Sequence, residues 1–110
     1  MGGRPPCESR MKTEDKGFAA FCELTDRWAK ACTCLDDLSK PPWKRTYEAM
    51  LNFKGLDITH LPKRWRNRID KTFVQINGIT APYSIETWDD YQKLSVLDLA
   101  RIGKLIHMLI

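Results

Sequence analysis

Residues 13–40, TEDKGFAAFCELTDRWAKACTCLDDLSK, decide the fold class. Phe18, Phe21, Cys22, Thr25, Trp28, Ala29, Cys32 and Leu35 recur at the i, i+3, i+4, i+7 spacing of one helical face. Glu23, Asp26, Arg27, Lys30 and Asp36 fall on the other, which predicts a surface helix with one buried stripe. Pro41 and Pro42 are expected to end it, because neither donates a backbone hydrogen bond and the residue before a proline avoids helical geometry.

Further along, the same signals recur. Pro42 can open a second helix through Trp43, Tyr47, Met50 and Leu51, with Gly55 as its carboxyl-terminal cap. Residues 56–61 read as a loop. Pro62 then starts a third helix with Trp65, Ile69, Thr72, Phe73 and Ile76 inside, which Asn77-Gly78 is expected to stop. Residues 79–83 read as an extended connector around Pro82, and Ser84 as the cap of a short helix holding Trp88 and Tyr91. Ser95 and Asp98, in S-x-x-D spacing, open a last helix. Its apolar residues from Val96 to Ile110 cover most of the circumference and leave a thin strip of Asp98, Arg101 and Lys104. Such a helix is either the centre of the core or a contact between subunits. No strand alternation and no internal repeat interrupts this pattern. The expected fold is all-α, a compact bundle of about five helices. It forms one helical domain over residues 13–110, preceded by a disordered arm over residues 1–12, where Gly2, Gly3, Pro5 and Pro6 stand without an apolar period.

A chain of 110 residues with 43% hydrophobic content can bury one core but not two. The opening MGGRPPCESR lacks the apolar segment of a signal peptide, so Cys7, Cys22, Cys32 and Cys34 are expected as free thiols of a reducing, cytoplasmic compartment. Met11 is an alternative natural start. The apolar run ending at Ile110 carries Asp98, Arg101, Lys104 and His107 and falls short of a bilayer span, so no membrane association is expected.

The candidate chemistry is sparse. Cys32 and Cys34 are two apart and would point away from each other on a helix, and no CxxC pair exists, so no metal is expected. No glycine-rich phosphate loop and no G-x-S-x-G elbow is present, and no cofactor is expected. His107 reads as a packing residue of the last helix. His60, in the loop sequence Asp57-Ile58-Thr59-His60, is the one place where a small nuclease-like site could form.

Charge is the strongest signal. The net charge is +4, and Lys63, Arg64, Arg66, Arg68 and Lys71, set against Asp70 alone, account for all of it within nine residues. Arg64, Arg68 and Lys71 align at i, i+4, i+7, with Lys63 and Arg66 flanking, in a broad stripe suited to an anionic partner. The inner stripe through Trp65 is expected to force these groups outward, so charge reversal at Arg64 and Arg68 should hardly alter stability. Trp28, Trp43, Trp65 and Trp88 fall one per helix at core-facing positions. Trp43, beside Pro41-Pro42, is the candidate surface anchor. The expectation drawn from all this is a non-enzymatic binding protein that modulates or inhibits a larger machine handling nucleic acid, of the kind encoded by phages and mobile elements. Its contact residues would be Lys63, Arg64, Arg66, Arg68, Lys71 and Trp43, and its partner a protein, with nucleic acid as the alternative. Direct, weakly sequence-specific nucleic-acid binding is the second reading, and a nuclease-like enzyme around Asp57 and His60 the third.

Overall fold

The computed structural model of the chain describes residues 13–110, with side chains from Lys16 onward; the expected arm over residues 1–12 lies outside the described residues. The longest helix, α1 (Thr13–Leu35), carries the opening stripe. Its buried line is rotated from the expected one: Leu24 and Ala31 are fully buried, with Phe21, Trp28 and Leu35 packed beside them. Cys22 and Ala29 are exposed instead, and so is Phe18. Phe21, Leu24, Trp28, Ala31 and Leu35 make a stripe as regular as the first. Periodicity therefore allows either line, and the neighbouring helices choose.

α1 stops at Leu35, six residues before Pro41. The Asp37 carboxylate accepts hydrogen bonds from the Ser39 amide (3.1 Å) and hydroxyl (2.5 Å), a local turn that competes with helical hydrogen bonding. The two prolines start the next helix rather than end the first: Pro41 is the amino-terminal cap of α2 (Pro42–Leu51), and Pro42 occupies its first turn. After α2 the chain makes tight turns to Gly55, whose φ of 75° is the left-handed geometry that suits glycine. In the loop that follows, Asp57 accepts from the Thr59 amide at 2.9 Å, and Leu61 is buried as an anchor.

Two boundaries downstream depart from expectation. α3 (Lys63–Thr80) runs straight through Asn77-Gly78, and residues 79–83 are not an extended connector. Ile79 is buried one turn beyond Ile76, and the packing gained outweighs the roughly 1 kcal/mol that a mid-helix glycine costs. A single 3₁₀ turn, Ala81–Tyr83, follows. Ser84 does not open the next helix; with φ 55° it is the left-handed carboxyl-terminal cap of this turn. Thr87 takes the cap of the short 3₁₀ helix Trp88–Lys93, with Asp90 closing a capping box by accepting from the Glu86 (2.7 Å) and Thr87 (2.9 Å) amides. Ser95 does cap the last helix, α4 (Val96–His107), accepting from the Asp98 amide at 3.1 Å. The described chain is thus all-α: four α-helices and the Trp88–Lys93 helix make the five expected elements, with no strand among the described residues.

α4 packs against each of the other three α-helices. Leu99, Ile102, Ile106 and Leu109 are buried along one side of it, while Val96, Leu97 and Met108 on the opposite side face solvent. Of the two alternatives it is the core helix, and it carries an uncovered apolar ridge. His107 lies on the exposed side, 3.8 Å from Asp36, rather than in the core. The tryptophans are all half-buried against the core. Trp43, Tyr47, Trp88 and Tyr91 form a continuous aromatic chain with centroid separations of 6.4, 6.2 and 5.6 Å, which joins α2 to the 3₁₀ helix.

Ile106 is 1% exposed, so Ile106→Asp would bury a carboxylate without a partner, a cost of several kcal/mol against the roughly 5–15 kcal/mol that stabilises a domain. The variant is expected to show no cooperative thermal transition by circular dichroism.

The two amides that bond Asp90 hold its carboxyl down at about 2. Because the folded value is depressed, its stabilisation is complete above the unfolded value near 3.9 and disappears as pH falls towards 2. The unfolding midpoint of the natural chain should therefore drop more between neutral pH and about pH 2.5 than that of Asp90→Asn.

Candidate binding surface

The five basic residues of α3 do not form one surface. Arg64, Arg68 and Lys71 share a flank with Gln75 and Gly78, an unbroken i, i+4, i+7, i+11, i+14 row. Arg66 stands on the opposite flank, half-buried, with its Nε shielded from solvent and unpartnered among the described residues. Lys63 is exposed at the first turn.

Within the row, Arg68 has a structural partner. Its Nε donates to the Leu109 carbonyl at 2.7 Å and a terminal nitrogen donates to the Met108 carbonyl at 3.0 Å. Its guanidinium also lies 5.8 Å from the centroid of the Trp65 ring. Arg68 thus satisfies carbonyls that the end of α4 leaves open and holds that end against α3. The expectation that Arg68 projects freely, and that its reversal would be silent, is corrected on this point.

α4 runs antiparallel to α3, so the Gln75, Gly78 and Ile79 part of α3 meets the Asp98, Arg101, Leu105 and Met108 side of α4. Between them lies a groove of about 630 Å³ with Ile79, Pro82, Leu105 and Met108 as its apolar lining and Arg101 and Lys104 as its basic lining. Lys71, one turn from both Arg68 and Gln75, stands on the same flank. One acidic group is present, Asp98, and it is occupied. Tyr83 donates its hydroxyl to it at 2.5 Å, and Arg101 pairs with it at 2.9 Å. The Tyr83 hydrogen bond, followed by that of Arg101, holds the Asp98 carboxyl below the usual carboxylate range. Lys71 and Lys104 have no ion-pair partner among the described residues. Beside the groove, Leu97 is 70% exposed on the α4 ridge. Arg101, Lys104, Leu97 and Met108 belong to this face and were not among the contact residues expected from sequence. The thin polar strip of the last helix was visible there, but not that it would lie against the basic flank of α3.

The other candidates have local roles. Trp43 packs half-buried on Tyr47 and is not a free surface ring. One carboxylate oxygen of Asp57 accepts from both the hydroxyl and the amide of Thr59, which, with the nearby His60, hold its carboxyl below the ordinary value. Among the described residues no three His, Cys, Asp or Glu side chains come together as metal ligands. Cys22, Cys32 and Cys34 are free thiols, and Cys7 lies outside the described residues. Burial, with the nearby Asp36 charge, pushes the Cys32 thiol up, which makes it a poor nucleophile. No described helix is long and apolar enough to cross a membrane. Set against family models, curated proteins and solved structures, the chain matches none of them.

The unequal roles of Arg64 and Arg68 can be measured. Arg68→Ala removes two charge-assisted hydrogen bonds and should lower unfolding free energy by about 1–3 kcal/mol. Arg64→Ala, exposed and without these bonds, should change it by no more than about 0.5 kcal/mol in the same urea titration.

Proposed function

We propose that this chain is a non-enzymatic binding protein that docks on an acidic protein surface of a larger, nucleic-acid-handling machine in the cytoplasm and modulates or inhibits it. The observation that carries this reading is the α3–α4 groove, where an apolar lining lies beside exposed Leu97 and beside Lys104, which has no ion-pair partner among the described residues, with Lys71 one turn along α3 from the groove's Gln75. Bare phosphate backbones are met by dense cationic surfaces. An apolar strip with a basic rim suits a protein surface, where buried apolar contacts supply affinity and the charged rim steers approach. The nuclease-like reading has less support, since Asp57 is engaged by Thr59.

The test is capture from a native lysate on immobilised full chain, with nuclease treatment and a parallel charge-reversed bait. A discrete partner should survive nuclease, be lost from Lys71→Glu/Lys104→Glu, and be kept by Arg64→Gln, with both baits as stable as the natural chain. A partner that the double reversal retains, or that nuclease releases, would move the functional surface elsewhere.

A further inference from the structure

A second site lies at the other end of α3. The amino-terminal parts of α1 and α3 border, with the loop between α2 and α3, an open cleft of about 510 Å³ lined by Phe18, Phe21, His60, Pro62, Arg64 and Trp65. Its volume lies within the roughly 300–1,000 Å³ of small-molecule sites. Its walls are held close: a Cβ on Gly17 would come 3.1 Å from the His60 carbonyl, so α1 approaches this loop as nearly as a glycine allows.

The lining combines aromatic rings with positive charge and, among the described residues, contains no carboxylate. Phe21 and Trp65 pack on each other with centroids 5.1 Å apart, and Arg68 sits over Trp65. Trp65 is therefore engaged from two directions, and the ring able to receive a flat partner is Phe18. That ring is 54% exposed on the longest described helix, and packing among the described residues does not account for its position. Arg64 borders the cavity, and Lys63, between the lining residues Pro62 and Arg64 in the chain, opens α3, which begins without a capping side chain.

We propose that this cavity binds one unpaired nucleotide of a single-stranded nucleic acid, with the base stacked on Phe18 and the adjoining phosphate held by Arg64 and Lys63. Stacking on an aromatic ring needs a base outside a duplex, and a cationic border beside that ring follows the strand's backbone. The site is separate from the α3–α4 groove and does not depend on the docking reading. It accounts for the basic residues at the start of α3 that the groove leaves unused.

The test is fluorescence anisotropy of labelled oligothymidine and oligouridine of about ten nucleotides, titrated with the full chain between about 50 and 200 mM salt. Saturable binding of either supports the site. Phe18→Ala should weaken binding about tenfold or more without altering its salt dependence, as should Phe18→Leu, which keeps apolar volume but removes the ring. Arg64→Gln should make the slope of log affinity against log salt shallower by about 0.7. Lys71→Gln/Lys104→Gln should bind as the natural chain does. The proposal is overturned by absence of saturable binding to either strand, by a duplex of the same length binding equally well, or by unchanged affinity in both Phe18 variants. Tighter binding of a phosphotyrosyl peptide than of either oligonucleotide would also overturn it, since the cavity would then be a phosphopeptide site.

Discussion

Burial of one side of α4 organises the rest of the bundle. Ile102, Ile106 and Leu109 lose essentially all contact with solvent, and α1, α2 and α3 each contribute to the walls around them. A helix in that position has a difficulty at its carboxyl end, where carbonyls without intrahelical donors must find partners. Two long side chains supply them. The Trp28 indole donates to the Ile106 carbonyl at 2.8 Å from α1, and Arg68 donates to Met108 and Leu109 from α3.

The same solution recurs between other helices. Arg45 of α2 donates to the Leu35 carbonyl at the end of α1 at 3.3 Å. Arg27 of α1, paired with Glu23 at 2.8 Å, donates to the Asn52 and Lys54 carbonyls beyond the end of α2 at 3.2 and 2.8 Å. In each case the cation lies where the helix dipole is negative, on a neighbouring helix, so one interaction both satisfies a helix end and sets the spacing between helices. A substantial part of the arginine content is therefore committed to architecture.

That commitment changes the reading of the surface. Arg68 holds α4 against α3, and by doing so it divides the basic row into two regions. Lys71 falls on the side of the α4 groove, with Lys104 and the exposed ridge of Leu97 and Met108. Arg64 falls on the side of the aromatic cavity, with Phe18 and His60. The proposed protein-docking groove and the proposed nucleotide site are therefore separate surfaces on either side of Arg68.

The helical class, the Ser95 cap and the existence of all five elements were legible in the sequence, because each rests on local physics: 3.6-residue periodicity, a side-chain oxygen at an amino terminus, proline in a first turn. The concentration of charge on α3 was equally plain. Four features needed the tertiary structure, and each for the same reason. Which line of α1 turns inward, Leu24 and Ala31 rather than Cys22 and Ala29, depends on what lies opposite. Whether Gly78 stops α3 depends on Ile79 finding a place in the core. Whether Trp43 is free depends on Tyr47 and Trp88. Whether Arg68 is a contact residue or a helix cap depends on the Leu109 carbonyl, which lies 41 residues away in the chain. A lone sequence specifies which residues can be buried or charged and where helices can begin; the choice among equivalent faces is made by long-range contacts, whose energies no local window contains.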